Sequence, residues 1–193
     1  MKKLRSSMIL FYVLVLTACV AGSGFVKPAE DKLVMGKSDK KQIIAMMGEP
    51  TGTGEKVMNG EALDIINYAY ASFGADAVYD GVTAERSMAF MFYKGKLVGK
   101  EFTSSFNVDN TAFYPAKAKS VKKGMKESEV LALMGKPGGE YRYPVIEDKN
   151  GKAMVYLFTQ TKGFRSQSNM LKVELDSKGT TVNSEYTKVG NVD

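Results

Sequence analysis

KSDKKQIIAMMGEP, from Lys37 to Pro50, and GMKESEVLALMGKP, from Gly124 to Pro137, are the two stretches whose reading decides the fold of this chain. Aligned on their ends, Ile43 faces Val130, Met47 faces Met134, Gly48 faces Gly135 and Pro50 faces Pro137. Each reads as a short helix with its stop signal. Ile43, Met46 and Met47 form an apolar stripe at helical spacing, as do Val130, Leu133 and Met134. A glycine just past the last turn accepts a left-handed conformation, and a proline two residues later forbids continuation. Ser38 or Asp39 can cap the first helix. Glu127 and Glu129 suit the positive end of the second.

The parallel extends beyond the helices. Asn59-Gly60 precedes Glu61-Ala62-Leu63, and Asn150-Gly151 precedes Lys152-Ala153-Met154; Asn-Gly is a strong signal for a two-residue hairpin turn. Alternating segments place strands near 54–58, 61–72, 86–94 and 97–106, and again near 140–146, 153–161, 168–176 and 180–188. Hairpin-linked strands argue for antiparallel pairing, and a helix before each set makes the class α+β. The expected architecture is two tandem repeats, 37–107 and 124–193, each a short N-terminal helical segment packed on a four-stranded antiparallel sheet. Residues 108–123, rich in lysine, are expected to link them.

The N-terminus reads as an export signal. Lys2, Lys3 and Arg5 precede an apolar run from Met8 to Leu16, too short for a permanent transmembrane helix. The run ends in Leu16-Thr17-Ala18-Cys19, and Cys19 is the only cysteine of the 193 residues. This ending resembles the bacterial lipoprotein lipobox, and the resemblance implies a lipoprotein signal peptide over residues 1–18, a lipid carried covalently by Cys19 and a flexible tether over 19–36. Cleavage there removes three basic residues and no acidic ones, so the net charge falls from +6 to +3. The basic pI is partly a property of the signal, and nucleic acid is not an expected partner.

The motif GMKESEVLALMGKP resembles the signature of the SmpA/OmlA/BamE outer-membrane lipoprotein family, and LKVELDSKGTTVNSEYTK resembles that family's terminal hairpin. The lipobox-like ending at Cys19 agrees. The doubled arrangement is similar to the β-lactamase-inhibitor-protein fold, in which two helix-plus-sheet repeats form a saddle. The resemblance implies a lipid-anchored protein of the cell outer membrane, facing the periplasm, that binds envelope proteins and catalyses nothing. The family motif falls on Ile43, Met47, Gly48 and Pro50, and on Gly124, Val130, Met134, Gly135 and Pro137.

Composition excludes much chemistry. There is no histidine, so the commonest general base and metal ligand are both missing, and one cysteine cannot make a disulfide or a multi-cysteine zinc site. Two Ser-x-x-Lys tetrads, Ser38 to Lys41 and Ser120 to Lys123, occur at about the frequency chance allows, without the companion motifs of a Ser-Lys hydrolase. No metal or other cofactor is expected. Asp76, Asp80 and Glu85 sit in a loop whose solvated reading is preferred to a cation site. What remains is aromatic surface. Phe73, Tyr79, Tyr141, Arg142 and Tyr143 are the candidate partner contacts, since Tyr and Arg are favoured interface anchors. The strand SMAFMFYKG is apolar on both faces, which calls for cover on both. The expected function is a protein-binding or scaffold subunit. The alternatives are an inhibitor of a periplasmic or extracellular enzyme and, last, a Ser-Lys hydrolase.

Overall fold

The computed structural model describes residues 20–109 and 111–192. The first half runs β1 (Val20–Gly22), α1 (Lys40–Met47), β2 (Gly52–Met58), β3 (Glu61–Ser72), β4 (Ala84–Tyr93) and β5 (Lys96–Ser104). The second runs α2 (Pro115–Ser120), α3 (Glu127–Met134), β6 (Gly139–Tyr141), β7 (Lys152–Lys162), β8 (Arg165–Leu175) and β9 (Thr181–Gly190). The expectation of two units, each a helix on its own four-stranded sheet, is overturned. Among the described residues the strands form one nine-stranded antiparallel sheet, ordered β1-β3-β4-β5-β6-β7-β8-β9, with β2 beside β1 along the free edge of β3. The seam is β5 against β6, where Gly99 pairs with Tyr141 and Lys100 with Glu140. Two separate sheets would leave both these strands with unpaired backbone groups, and joining them removes two edges. Gly139 permits the approach, since a Cβ there would lie 2.3 Å from the Lys100 carbonyl oxygen.

The three α-helices of the described residues cover one face. Under α1, Ile43 is buried among Ile66, Tyr68, Met88, Phe90, Phe92, Leu97 and Phe102. Under α2 and α3, Val130 is buried among Met154, Tyr156, Phe158, Leu171, Val173 and Leu175. The caps explain the helix limits. Asp39 accepts the Gln42 N–H at 3.0 Å while Gln42 accepts the Asp39 N–H at 3.0 Å, a reciprocal box. In α3, Glu129 accepts the Lys126 N–H at 2.6 Å. Gly48 (φ 83°, ψ −171°) and Gly135 (φ 81°, ψ −163°) stop the helices. Their φ is positive as expected, but their ψ places them outside the left-handed helical well, in a region open essentially to glycine alone. A strand tyrosine locks each stop: Tyr68 donates to the Gly48 carbonyl at 2.8 Å, and Tyr156 donates to the Gly135 carbonyl at 3.0 Å.

Two connecting segments are more ordered than the sequence implied. The expected tether is part of the fold from Val20 onward: β1 pairs with β3, and Phe25 and Leu33 are buried in the first core. Glu30 holds Lys100 and, at 2.9 Å, Lys27. The expected linker contains α2, and Phe113, Ala118 and Val121 are buried in the second core. Cys19 and the signal segment lie outside the described residues.

Candidate functional site

Among the described residues, the other face of the sheet carries no helix. Its centre is a small core of Leu63, Met91, Val98, Tyr141, Val145, Ile146, Ala153 and Val155. Val145 and Ile146 come from the β6–β7 connection, which folds back onto the sheet. That connection corrects one expectation: Asn150-Gly151 does not join two strands as a tight hairpin but closes a ten-residue loop between Tyr141 and Lys152. It also answers the strand that was apolar on both sides. Met88, Phe90 and Phe92 face the helices, while Met91 is covered by this loop and by Tyr141. The second half supplies that cover.

Around this core the face stays open and curls. Paired residues share a face, so Lys56 and Met58 of β2, Met91 of β4, Glu101 of β5, Met170 and Lys172 of β8, and Glu185 and Thr187 of β9 all point the same way. Those residues, with Tyr141 and Val145, line a single cleft of about 200 Å³. Strands from both margins of a nine-stranded sheet can line one cleft only if the sheet bends toward it. A second cleft of about 290 Å³, further along, is bordered by Thr51, Ala69, Ala71, Glu85, Ser87, Thr103 and Thr159. The half-buried Met58, Ile65, Tyr93 and Met170 ring the core.

The polar groups here are paired. Tyr141 donates to Glu101, and burial, reinforced by the Glu101 charge and this bond, pushes its phenol well above the usual range. Lys172 lies 2.9 Å from Glu174 and 3.3 Å from Glu185. Burial alone would lower its ammonium, but these two carboxylates outweigh that and hold it above the ordinary lysine value. Glu85 accepts from Thr161 at 3.0 Å, and burial raises its carboxyl despite that bond.

The five candidate contacts are not brought together. Tyr141 is only 5% exposed, so it is a core residue of this face and not the exposed anchor expected. Tyr143 remains half exposed; it packs edge-on against Tyr93 with centroids 6.2 Å apart and donates to Glu61 at 3.3 Å. Arg142 lies opposite, its Nε 2.6 Å from Glu140. Phe73 and Tyr79 sit at the far end of the sheet, Phe73 exposed and Tyr79 edge-on to Phe158 at 5.8 Å. Sequence reading missed Glu101, Lys172, Glu185 and Thr187. The alternation in LKVEL marks Lys172 and Glu174 as one side of a strand, but not which neighbours they meet.

A larger cleft of about 490 Å³ runs between the two helix-covered cores, lined by Lys27, Phe102, Asp109, Phe113, Lys136 and Tyr156 among others. Its floor is packing surface of both cores. Neither Ser-x-x-Lys pair assembles a nucleophile: Ser38 accepts the Val34 N–H at 3.0 Å, and Ser120 donates to the Ala116 carbonyl at 2.9 Å. Among the described residues no three acidic or cysteine side chains gather as a metal site.

No protein-family model matches the chain, and no curated protein does either. The resemblance to SmpA/OmlA/BamE lipoproteins therefore gains no support from sequence comparison. Among solved structures, a crystal structure from Streptococcus mutans, described provisionally as a beta-lactamase inhibitor protein, is similar at TM-score 0.43 and 14% identity. The match covers 81% of this chain and 91% of that one. At that depth the likeness establishes neither family nor activity.

Proposed function

We propose that the protein is a non-catalytic, lipid-anchored component of the bacterial outer membrane that binds a protein partner through the helix-free face of its sheet. The observation that carries this reading is the curled face, left without a helix and ringed by half-buried Met58, Ile65, Tyr93 and Met170. A one-sided antiparallel sheet ordinarily shows water a polar surface. Here half-buried Met58, Tyr93 and Met170, residue types enriched in protein interfaces, stand beside the Lys172–Glu185 pair, which suits the polar rim of an interface. The anchoring part of the proposal rests on the lone Cys19 at the end of the lipobox-like run.

The same concavity suits an inhibitor that receives a protruding loop of a periplasmic or extracellular enzyme. The two roles separate by stoichiometry: a scaffold co-purifies with an envelope assembly, whereas an inhibitor titrates an activity. The test is detergent pull-down of the native lipoprotein with Asn67→Arg and Thr187→Arg, both on exposed positions of the helix-free face, against Leu131→Arg on the helix side. The face variants should lose the partner and keep the wild-type melting temperature. Retention by the face variants, with loss in Leu131→Arg, would place the interface on the wrong side. Changing Cys19 to Ser should abolish acyl labelling.

A further inference from the structure

The two ends of the sheet differ in what their turns present. At one end the connections are Asn59-Gly60, Lys94-Gly95, Asp148-Lys149-Asn150 and Ser177-Lys178, the polar residues that turns ordinarily use. At the other end lie Ser72, Ala84, Ser104, the Lys162–Arg165 hairpin and Gly190, as the strand registers require. There four apolar groups project among exposed polar ones that include Asp76, Asp80, Lys162 and Arg165. Phe73 follows β3, Val108 follows β5, Phe164 forms the tip of the β7–β8 hairpin and Val189 is the penultimate residue of β9, and all four are exposed. The loop after Phe73 knits this end together. Ala77 bridges to Phe106, the Asn107 N–H donates to the Asp76 carbonyl at 3.1 Å, and the Thr83 N–H donates to the Thr161 carbonyl at 2.8 Å. Hairpin geometry does not ask for a phenylalanine at position 164, and no core residue covers it.

The chain outside the described residues arrives at this same end. Val20 pairs with Ser72, so the first residue of β1 stands beside Phe73. Cys19 is one residue further, at most ~3.6 Å of chain. The basic and apolar stretch from Lys2 to Leu16 is membrane-directed by sequence. With a lipid on Cys19, as proposed above, the attachment would stand one residue before Val20 of the sheet.

We infer that this end of the sheet is a bilayer-docking rim. Phe164 and Phe73 sit at the boundary between lipid headgroups and acyl chains, where aromatic rings partition favourably. The sheet then stands up from the surface, and its helix-free face looks sideways along the envelope space. This deepens the anchoring part of the proposed function and rests on it only for how the chain is held near lipid.

The protein contains no tryptophan, so single reporters read without background. Phe164→Trp is placed at the rim and Val57→Trp, on exposed β2, serves as control. Each full chain, with and without Cys19→Ser, is isolated from the membrane and mixed with vesicles of phosphatidylethanolamine and phosphatidylglycerol, some carrying brominated acyl chains. The expected result is flotation that needs Cys19, with the rim reporter blue-shifted, quenched by brominated lipid and severalfold less accessible to iodide than the control. Flotation through Cys19 with both reporters equally open to iodide overturns the rim and leaves the anchor standing. Flotation and rim quenching that persist in Cys19→Ser produced without residues 2–18 overturn the lipid anchor and leave the rim standing. Absence of flotation overturns both.

Discussion

Replacing Gly135 by Ala isolates one backbone conformation. Gly135 sits at φ 81° and ψ −163°, and a Cβ built there meets nothing within 4 Å. Crowding by neighbours therefore contributes nothing, and the loss comes from the backbone alone, about 1–3 kcal/mol for a residue forced into a glycine-only region. If the backbone relaxes to escape, the Gly135 carbonyl moves away from the Tyr156 hydroxyl 3.0 Å distant. A buried hydrogen bond of about 1 kcal/mol is then lost instead. The expected destabilisation is thus about 2 kcal/mol by urea unfolding, or a fall of roughly 4–8 °C in Tm for a chain of this size. Asn should not rescue, because Asn tolerates the left-handed helical well and Gly135 lies outside it. Gly48→Ala should behave alike, with Tyr68 in the role of Tyr156. A double-mutant cycle of Gly135→Ala with Tyr156→Phe should show coupling. Unchanged stability in Gly135→Ala, or full rescue by Asn, would refute the reasoning.

Tyr141→Ala should cost about 3–5 kcal/mol, as a large buried ring leaves a cavity, whereas Tyr143→Ala should cost about 1 kcal/mol, the value of its aromatic contact; urea midpoints decide. Arg86 bridges elements, with Nη1 donating to the Phe25 carbonyl at 2.8 Å and Nη2 3.1 Å from Asp109. Arg86→Ala should cost about 3 kcal/mol, the lower end for breaking a largely buried charged pair, and should increase proteolysis before β2. Burial would raise the Glu30 carboxyl, but its bonds to Lys100 and Lys27 prevail and bring it from 4.5 down to about 2. A carboxyl lowered on folding contributes its stability above the unfolded pKa and loses it as pH falls through the folded one. The stability gap between wild type and Glu30→Gln should therefore close between pH 4.5 and 2, followed by thermal melts, and a gap constant over that range would contradict the pairing.

Local signals in the sequence translated well into local structure. Asn59-Gly60 is a two-residue turn with both residues at positive φ, and Ile43 and Val130 are the buried helix positions. The same Asn-Gly signal at 150–151 misled, because it marks a turn without saying what lies before it. Packing of Val145 and Ile146 on the sheet decided that region. Helix α2 was hidden because Phe113, Ala118 and Val121 are dispersed among lysines. β1 was hidden because three residues carry no periodicity. The continuous sheet depends on the seam at Gly139, a contact between segments about forty residues apart that no local pattern encodes. Tyr141 looked exposed because alternation identifies a shared face but not whether a loop covers it.

The claim that the helix-free face is the binding surface is tested most directly by site-specific photocrosslinking in intact cells. Photoreactive residues at Asn67, Tyr143 and Thr187 sample that face, and residues at Met46 and Leu131 sample the helix side. The account predicts adducts to one common protein from the first three positions and none from the last two. Adducts confined to Met46 and Leu131, or none at Asn67, Tyr143 and Thr187, would contradict it.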